Sequence, residues 1–429
     1  MHTFTIRCIL CFLLLFNLTG FVHADDPVEL VIWAEPYTWH TMSRDPAGSG
    51  RYGIYLKEQF EREHPGVTVI IESQGWDEAL RQNLVNALQI GTAPDIVVGE
   101  NYFQQFIEQG ALLPLNEYIA EIKDDVIPAT YKAAQVEETI YGIAAFTGVF
   151  GFERNCEVIN AAGLNCDVPP ATWDELLEQV KTITEQGQGD YYGYTLQGPA
   201  ETSVGAVLRI APLFGQTGAT LCQNKCTEPY FNDPKAVPVM EFLRKLNQFT
   251  PPGLTFYPSE GDVAASVFHG RSAYQIAGSW HPSWAKESGC EDCRYSVIPL
   301  PEHGRPASVL VGNAIYAVLK TSTHPDLAAE WVTFLARSDV QDLVYPALGR
   351  LPSTRSALTR LYDSVDPTMH VFIEELLQAS ELSILPQWRE KPNELWRVYN
   401  QMLKDILTSD RPVKEIMDEA QHTAEELLR

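Results

Sequence analysis

The chain has 429 residues, of which 45% are hydrophobic and 10% aromatic, so it can form two or three packed domains and is not disordered. Its 31 Lys and Arg residues stand against 56 Asp and Glu, which gives a formal net charge of -25 at pH 7. Nucleic-acid binding requires clustered basic residues, and the sequence has no such cluster. We therefore expect no nucleic-acid partner.

The first residues predict an export signal. Arg7 supplies a positive charge, residues 8–18 are almost wholly apolar, and residues 22–24 (Val-His-Ala) fit a cleavage site. We expect a signal peptide over residues 1–24 and an exported protein, in the periplasm or at the outer face of the cell membrane. The apolar run is shorter than the roughly 20 residues that cross a bilayer. Its removal takes away one Arg and no acidic residue, which changes the charge from -25 to -26.

The cysteines agree with export. Of eight cysteines, two lie in the signal, and the other six form three close pairs, Cys156/Cys166, Cys222/Cys226 and Cys290/Cys293. Six cysteines allow 15 connectivities, but the spacing favours three short-loop disulfides in an oxidising compartment. The alternative is a zinc site formed by the second and third pairs. Because no His lies near them in the sequence, we expect no metal.

The first third of the chain alternates strands and helices. Strands are predicted at 28–33, 67–71 and 95–98, and helices at 52–63 and 77–90. The strands lack polar alternation and are separated by helices, which is typical of a parallel sheet covered on both faces.

Further helices are predicted in the rest of the chain. They lie at 172–183, at 325–337 and, with a break at 410–412, within 393–428. Thr172 followed by Glu175 is the pattern of a capping box, which indicates that the first of these helices begins there.

No motif indicates a cofactor or a catalytic centre. Residues 48–53 fit G-x-G-x-x-G, but residues 34–47 separate them from the preceding strand, whereas a dinucleotide site begins directly after its strand. The sequence also lacks G-x-S-x-G, H-E-x-x-H and P-loop motifs. We expect no cofactor and no catalysis. A secreted glycan-active enzyme stays an alternative, because a catalytic carboxylate pair is not recognisable in so acidic a sequence.

Aromatic and polar residues meet at the ends of the strands. This occurs at residues 33–37, 99–102, 278–281 and 311–313. Ligands of open α/β sheets bind at the carboxyl ends of strands, aromatic rings pack on sugar rings, and Glu, Asn and Arg bind hydroxyl pairs. A neutral, flat, polar ligand fits this pattern, although each aromatic residue could instead be part of the core.

Several short motifs follow one another in an order that is specific as a set. They are G-T-A-P-D-I-V-V at 91–98, G-A-L-L-P-L at 110–115, P-A-T-W-D-E-L at 170–176, F-H-G-R-S-A at 268–273 with G-S-W at 278–280, and G-R-L-P at 349–352. Over nearly the whole mature chain, the sequence resembles the family 1 extracellular solute-binding proteins of ABC importers, which include maltose-binding protein. It departs from them in a longer loop at 36–51 and in Ala-Ala-Phe at 144–146, where the family often has Pro.

The resemblance implies a two-lobed periplasmic-binding-protein fold of type II. Each lobe would be a mainly parallel sheet flanked by helices, with the ligand cleft between the lobes. The N-lobe would comprise residues 27–144 plus 314–349, and the C-lobe residues 145–313 plus 350–429. The implied function is capture of a mono- or oligosaccharide by closure of the lobes and delivery to membrane permease subunits. We expect a monomer that is not an enzyme.

The resemblance and the strand ends together give a set of candidate ligand-binding residues. They are Trp33, Glu35, Tyr37, Gln74, Trp76, Glu100, Asn101, Trp280, Gly312, Asn313 and Arg350. Trp280 would stack on the sugar, Gly312 would allow close approach of the backbone, and Arg350 would bind the ligand or form a salt bridge between the lobes. The alternative ligands are a polyol, glycerol phosphate or a polyamine.

Overall fold

The computed structural model describes residues 28–34, 51–75, 78–100, 103–199, 205–257, 259–307, 309–311, 313–378, 386–388 and 390–429. The predicted signal peptide at 1–24 lies outside this part of the chain. None of the helices within it combines the length and apolarity needed to cross a membrane.

The strands and helices alternate along most of the chain. The strands are β1 (Val28–Ala34), β2 (Val67–Ser73), β3 (Ile96–Gly99), β4 (Gln135–Val136), β5 (Thr139–Ile140), β6 (Gly142–Ala144), β7 (Gly148–Asn155), β8 (Tyr192–Tyr194), β9 (Cys222–Gln223), β10 (Glu228–Pro229), β11 (Ser272–Gly278), β12 (Cys293–Ser296), β13 (Leu310–Val311) and β14 (Ile315–Val318).

The helices are α1 (Arg51–Glu63), α2 (Glu78–Ile90), α3 (Phe103–Glu108), α4 (Cys156–Ala161), α5 (Trp173–Gly187), α6 (Gly205–Thr217), α7 (Val237–Asn247), α8 (Glu260–Phe268), α9 (His281–Glu287), α10 (Pro325–Leu335), α11 (Ser338–Leu348), α12 (Arg355–Ser364), α13 (His370–Gln378), α14 (Pro392–Thr408) and α15 (Val413–Leu428). Short 3-10 helices lie at Pro128–Ala134, Pro234–Ala236, Leu254–Phe256 and Pro367–Met369.

Each helix and strand predicted from the sequence is present, with ends that differ by a few residues. The capping box is also present. The Thr172 hydroxyl accepts a hydrogen bond from the Glu175 backbone N–H at 3.2 Å, and the Glu175 carboxylate accepts one from the Thr172 N–H at 3.3 Å. Both donors would otherwise lack partners at the start of α5.

The first sheet has the strand order β2-β1-β3-β14-β6. β1 is parallel to β2 and β3, whereas β14 is antiparallel to β3 and β6. A separate apolar core surrounds this sheet and includes Phe60 and Trp331, whose rings lie 5.0 Å apart. Because β14 comes from residues 315–318, the chain returns to the first sheet after building the second.

The second sheet has the order β12-β7-β11-β8, with β13 also on β7. β7 is antiparallel to β11, β12 and β13, and β8 is parallel to β11. The expectation of a mainly parallel sheet is therefore wrong for this lobe. Every residue of β7 and β11 is buried. Burial of both faces removes polar alternation from a strand in either direction, so an apolar run does not specify a parallel strand.

Each sheet is the centre of one lobe with its own apolar core. A third cluster, formed mainly by α12 and α13, packs against β7 of the second lobe and also against Ile127 and Ala129, which precede the first lobe's β4. The two lobes are therefore joined by packing as well as by the chain itself.

The chain crosses between the lobes at 145–147, 313–314 and 349–353, and we call these residues the crossing region. Thr147 and Leu351 exchange backbone hydrogen bonds of 2.9 and 3.0 Å, and the Ala145 N–H donates to the Ala314 carbonyl at 2.8 Å. Gly349 ends α11 with a φ of 63°, a left-handed conformation that favours glycine and turns the chain into its crossing.

Gln341 of α11 holds two crossings together. Its fully buried amide donates 2.7 Å hydrogen bonds to the carbonyls of Ala145 and Leu335, and its oxygen accepts from the Ser353 N–H at 2.7 Å. The Ser353 hydroxyl donates to the Ala144 carbonyl at 2.6 Å. The side-chain amide thus satisfies backbone groups that have no access to water.

The six cysteines form the disulfides Cys156–Cys166, Cys222–Cys226 and Cys290–Cys293. These are the three bonds that proximity along the chain favours, and they use the sulfurs that the alternative zinc site would need. Within the described ranges, no group of three or more His, Cys, Asp or Glu side chains is arranged to hold a metal ion.

The first prediction concerns Gln341. Gln341→Met keeps the side-chain volume but leaves the Ser353 N–H and two carbonyls buried without partners. We expect a loss of at least about 3 kcal/mol in the free energy of unfolding, since each of these three groups costs about 1–3 kcal/mol. Urea denaturation measures it. The control is Gln401→Met, at an exposed glutamine that donates to Asp405 at 2.8 Å, with an expected change within about 0.5 kcal/mol. Equal losses in both variants would contradict the role given to Gln341.

Candidate ligand-binding cleft

The carboxyl ends of β1, β2 and β3 meet at one edge of the first sheet because these strands are parallel. Trp33 lies there, 7% exposed, and its indole N–H donates to the Glu72 carboxylate at 2.9 Å. The Gln74 amide donates to the same carboxylate oxygen at 3.4 Å. Glu100, which follows β3, is buried. The structure therefore brings Trp33 and Gln74 together through Glu72, a residue that the sequence analysis did not select.

Some candidate residues lie outside the described residues, and their roles stay predictions. They are Glu35, Tyr37, Trp76, Asn101 and Gly312.

Trp280 lies just beyond the carboxyl end of β11 and is buried. The glycine two residues before it makes room for the indole, since a Cβ on Gly278 would lie 2.4 Å from the Trp280 ring. The guanidinium carbon of Arg350 lies 4.2 Å from the ring centroid, a cation–π contact. Trp280 and Arg350, both predicted from the sequence, are thus in direct contact at the edge of the crossing region.

Asn313 belongs to the crossing region. Its side-chain oxygen accepts a hydrogen bond from the Thr147 hydroxyl, and both residues are buried. This contact ties two crossings together. A role for Asn313 in binding ligand hydroxyls stays a prediction.

A cluster of four charged side chains adjoins Trp280, and the sequence analysis selected none of them. Glu260 Oε1 accepts hydrogen bonds from Arg209 Nη2 at 2.5 Å and from Trp280 Nε1 at 2.8 Å. His281 lies between two carboxylates, with its Nε2 3.2 Å from Glu260 and its Nδ1 3.1 Å from Glu153. His281 and Glu153 are completely buried, whereas the Glu260 side chain is 31% exposed.

The neighbours of His281 and Glu260 favour the ionised form of each of these two side chains. Burial alone would lower the pKa of His281, but hydrogen bonds and charges from Glu153 and Glu260 raise that pKa above its ordinary value. Burial alone would raise the pKa of Glu260, but the charge of Arg209 and the hydrogen bonds from His281 and Trp280 hold that pKa well below its usual range. With two acids and two bases, the cluster has no formal net charge.

A cavity of about 630 Å³ lies between the lobes, within the range of about 300–1,000 Å³ typical of small-molecule sites. Gln387 contacts the first lobe beside it, donating to the Ala133 carbonyl at 3.1 Å and accepting from the Gln104 N–H at 3.3 Å. The Cys222–Cys226 disulfide lines the opposite wall. None of the described candidate residues lines this cavity, so it is separate from the cluster around Trp280.

Comparisons with known proteins place the fold. The family model described as bacterial extracellular solute-binding protein matches residues 47–342. A putative binding protein of Brucella abortus (strain 2308) is 25% identical over 356 residues, which are 82% of this chain and 84% of the relative.

Solved structures resemble the chain over almost its whole length. An ABC transporter solute-binding protein from Thermotoga lettingae TMO, bound with alpha-D-tagatose, has a TM-score of 0.76 and 21% identity, covering 94% of this chain and 100% of that one. The cyclic alpha-maltosyl-1,6-maltose binding protein from Arthrobacter globiformis has a TM-score of 0.77 and 19% identity, covering 94% of this chain and 99% of that one. The expected two-lobed α/β fold is confirmed.

The second prediction concerns His281 and pH. A raised pKa in the folded state means that the protonated imidazole stabilises the fold fully below its unfolded pKa of 6.5 and that this stabilisation is lost as pH rises through the folded pKa. We expect the free energy of unfolding of the wild type to exceed that of His281→Gln most at pH 5.5–6, and by less at pH 9. Urea denaturation of both proteins across this pH range measures the difference. A difference independent of pH would contradict a protonated His281.

Proposed function

We propose that this chain, which belongs to the bacterial extracellular solute-binding protein family, captures a carbohydrate between its lobes and delivers it to the permease of an ABC importer. The observation that carries this proposal is the contact between Trp280 and Glu260, which puts an aromatic ring beside a fixed hydrogen-bond acceptor. Sugars present apolar C–H faces and hydroxyl donors side by side, so this pair suits them.

Closure of the lobes requires that the ligand contact both of them. A ligand that binds one lobe equally well in the open and closed forms shifts nothing, so the binding energy of the closed form comes from contacts that span the cleft. The first lobe offers Trp33, Glu72 and Gln74 at its strand ends, and the second offers Trp280 and Glu260. We propose that these two groups of residues face the same ligand.

The relatives support a sugar as ligand. The Thermotoga lettingae protein is bound with alpha-D-tagatose, and the Arthrobacter globiformis protein is a cyclic alpha-maltosyl-1,6-maltose binding protein. The charge cluster in the second lobe is neutral overall, which suits an uncharged ligand better than glycerol phosphate or a polyamine.

We propose that the protein has no catalytic step. A glycoside hydrolase needs a carboxylic acid whose pKa is raised so that it can donate a proton. In the described cluster, the neighbours of Glu260 lower its pKa instead, and Glu153 is enclosed by His281, Tyr295 and Gln275. This arrangement fixes charges in place and offers no carboxylic acid to donate a proton to a glycosidic bond.

The remaining parts of the proposal follow from the family. The chain is exported after loss of residues 1–24, acts as a monomer in the periplasm or at the outer face of the cell membrane, and presents its closed form to the permease. Its N-lobe is residues 27–144 plus 314–349, and its C-lobe residues 145–313 plus 350–429. The return of the chain to the first sheet at β14, which pairs with β3, supports this interleaved division.

The third prediction identifies the ligand. We expect maltose, mannobiose, D-tagatose or another neutral sugar to raise the thermal midpoint, because a ligand stabilises the native state by RT ln(1 + [L]/Kd). Differential scanning fluorimetry with these sugars, glycerol 3-phosphate, spermidine and sorbitol makes the comparison. A shift with spermidine or glycerol 3-phosphate and none with any sugar would contradict the proposal, as would hydrolysis of labelled oligosaccharides.

The fourth prediction concerns Trp280. Trp280→Leu removes the ring and is expected to weaken sugar binding about 10- to 100-fold, since one stacked aromatic contributes about 1–3 kcal/mol. Titration calorimetry measures it. The matched control is Trp173→Leu, also a buried indole of the second lobe, whose ring stacks on Phe242 at 4.3 Å. Both variants should lose thermal stability, but only the first should lose affinity. Equal affinity of the two variants for the sugar would contradict a ligand-binding role of Trp280.

A further inference from the structure

The two carboxylate oxygens of Glu260, the first residue of α8, have different surroundings. Oε1 is saturated, because it accepts from Arg209 Nη2, Trp280 Nε1 and His281 Nε2 at 2.5, 2.8 and 3.2 Å. Among the residues that the structure describes, no donor reaches Oε2. The Glu260 side chain is 31% exposed, and because three donors surround Oε1, we assign the exposed part of the carboxylate to Oε2.

The carboxylate is held in one orientation. Arg209 is itself fixed, since its Nη1 donates to the Gln197 side chain and its guanidinium carbon lies 5.7 Å from the Phe150 ring centroid. His281 is fixed from its other side by Glu153. Rotation of the Glu260 carboxylate would break several charge-assisted hydrogen bonds at once, so Oε2 presents a preorganised acceptor beside the Trp280 indole.

We propose that Glu260 determines ligand specificity: its Oε2 accepts a hydrogen bond from a hydroxyl of the sugar unit that contacts Trp280. This rests on the proposed function. It also narrows the ligand class to neutral sugars with a free hydroxyl at that position. A sugar with a carboxylate or phosphate there would face the charged Oε2, and the formal charges of Glu260, Glu153, His281 and Arg209 sum to zero, so the cluster has no surplus positive charge for it.

The size of the effect follows from the type of bond. A hydrogen bond to a charged group contributes about 1.5–3 kcal/mol, which corresponds to a factor of about 10–100 in Kd. Removing either the ligand hydroxyl or the charged acceptor should therefore weaken binding by that factor. Removing both should cost little more than removing one, because the two changes delete the same bond.

The experiment is a thermodynamic cycle on the wild type and Glu260→Gln. The probes are D-glucose, D-galactose, D-mannose and maltose, the monodeoxy analogue at each hydroxyl, and D-glucuronate and D-galacturonate, all titrated by calorimetry. In the variant, the amide oxygen can replace Oε1, and the amide nitrogen then replaces Oε2 with a donor. We expect one deoxy analogue to bind the wild type about 10- to 100-fold more weakly than its parent sugar. This ratio should fall about 5- to 10-fold in the variant, because the hydroxyl then accepts only a neutral hydrogen bond from the amide N–H.

The matched control is Asp95→Asn. Asp95 is a carboxylate that, like Glu260, accepts hydrogen bonds from two elements, here from the Val31 N–H at 2.8 Å and the Ser322 hydroxyl at 2.6 Å, but it is buried and precedes β3 at the edge of the first sheet opposite the strand ends. The Asp95→Asn variant should lose thermal stability and keep the full discrimination against the deoxy analogue. If Glu260→Gln does not fold, Glu260→Asp, which withdraws the carboxylate by one methylene, replaces it with the same expected loss of discrimination.

The outcomes separate the two proposals. If the wild type binds none of the neutral sugars, the proposed function fails, and the role of Glu260 with it. If sugars bind but Glu260→Gln discriminates among the deoxy analogues as the wild type does, only the inference about Glu260 is overturned. Uronates that bind the wild type as tightly as their neutral parents would overturn it as well. If Glu260 had only a structural role, Glu260→Gln would change the midpoint temperature but would leave the ratio of Kd values between each deoxy analogue and its parent sugar unchanged.

Discussion

The hydrogen bonds between the chain crossings constrain how the two lobes can be placed relative to each other. Thr147 pairs with Leu351 and Ala145 pairs with Ala314, while Gln341 joins Ala145 to Ser353. These groups are buried, so breaking them is costly, and movement of one lobe relative to the other must keep them paired. In the closure proposed above, the crossing region would therefore act as the axis. Residues next to it would keep their geometry, and residues far from it would move most.

Trp280 adjoins the crossing region. Its neighbour Arg350 directly precedes Leu351 of the crossing, and the Ser279 N–H donates to the Val149 carbonyl of β7 at 2.9 Å. Trp280 and Glu260 both belong to the second lobe, so the proposed closure would not have to assemble this pair. Trp33 and Gln74 lie at the first sheet, and the proposed closure would change their distance from the pair. Affinity then depends on preorganised groups on one side and approaching groups on the other.

The local sequence predicted what depends on local interactions. Thr172 and Glu175 lie three residues apart and predicted the start of α5, and the three disulfides close loops of ten residues or fewer. The direction of the second sheet's strands was not predictable, because burial on both faces leaves the same apolar pattern in parallel and antiparallel strands. Within the site, the Trp280–Arg350 contact joins two selected residues. Glu260 was missed because an acidic residue at a helix start is expected in any helix. Its partner Arg209 is 51 residues away, and the link from His281 to Glu153 spans 128 residues.

The G-S-W motif at 278–280 follows from these contacts. Gly278 is required because a side chain there would occupy the space of the indole, and Ser279 continues the pairing with β7 through its backbone. The third position must be aromatic to lie against the glycine. It must also donate a hydrogen bond to Glu260, which Phe cannot do and which Trp does through its ring N–H at 2.8 Å. Two separate contacts therefore favour tryptophan at this position: the space beside Gly278 accommodates its ring, and the Glu260 carboxylate of α8 accepts its ring N–H.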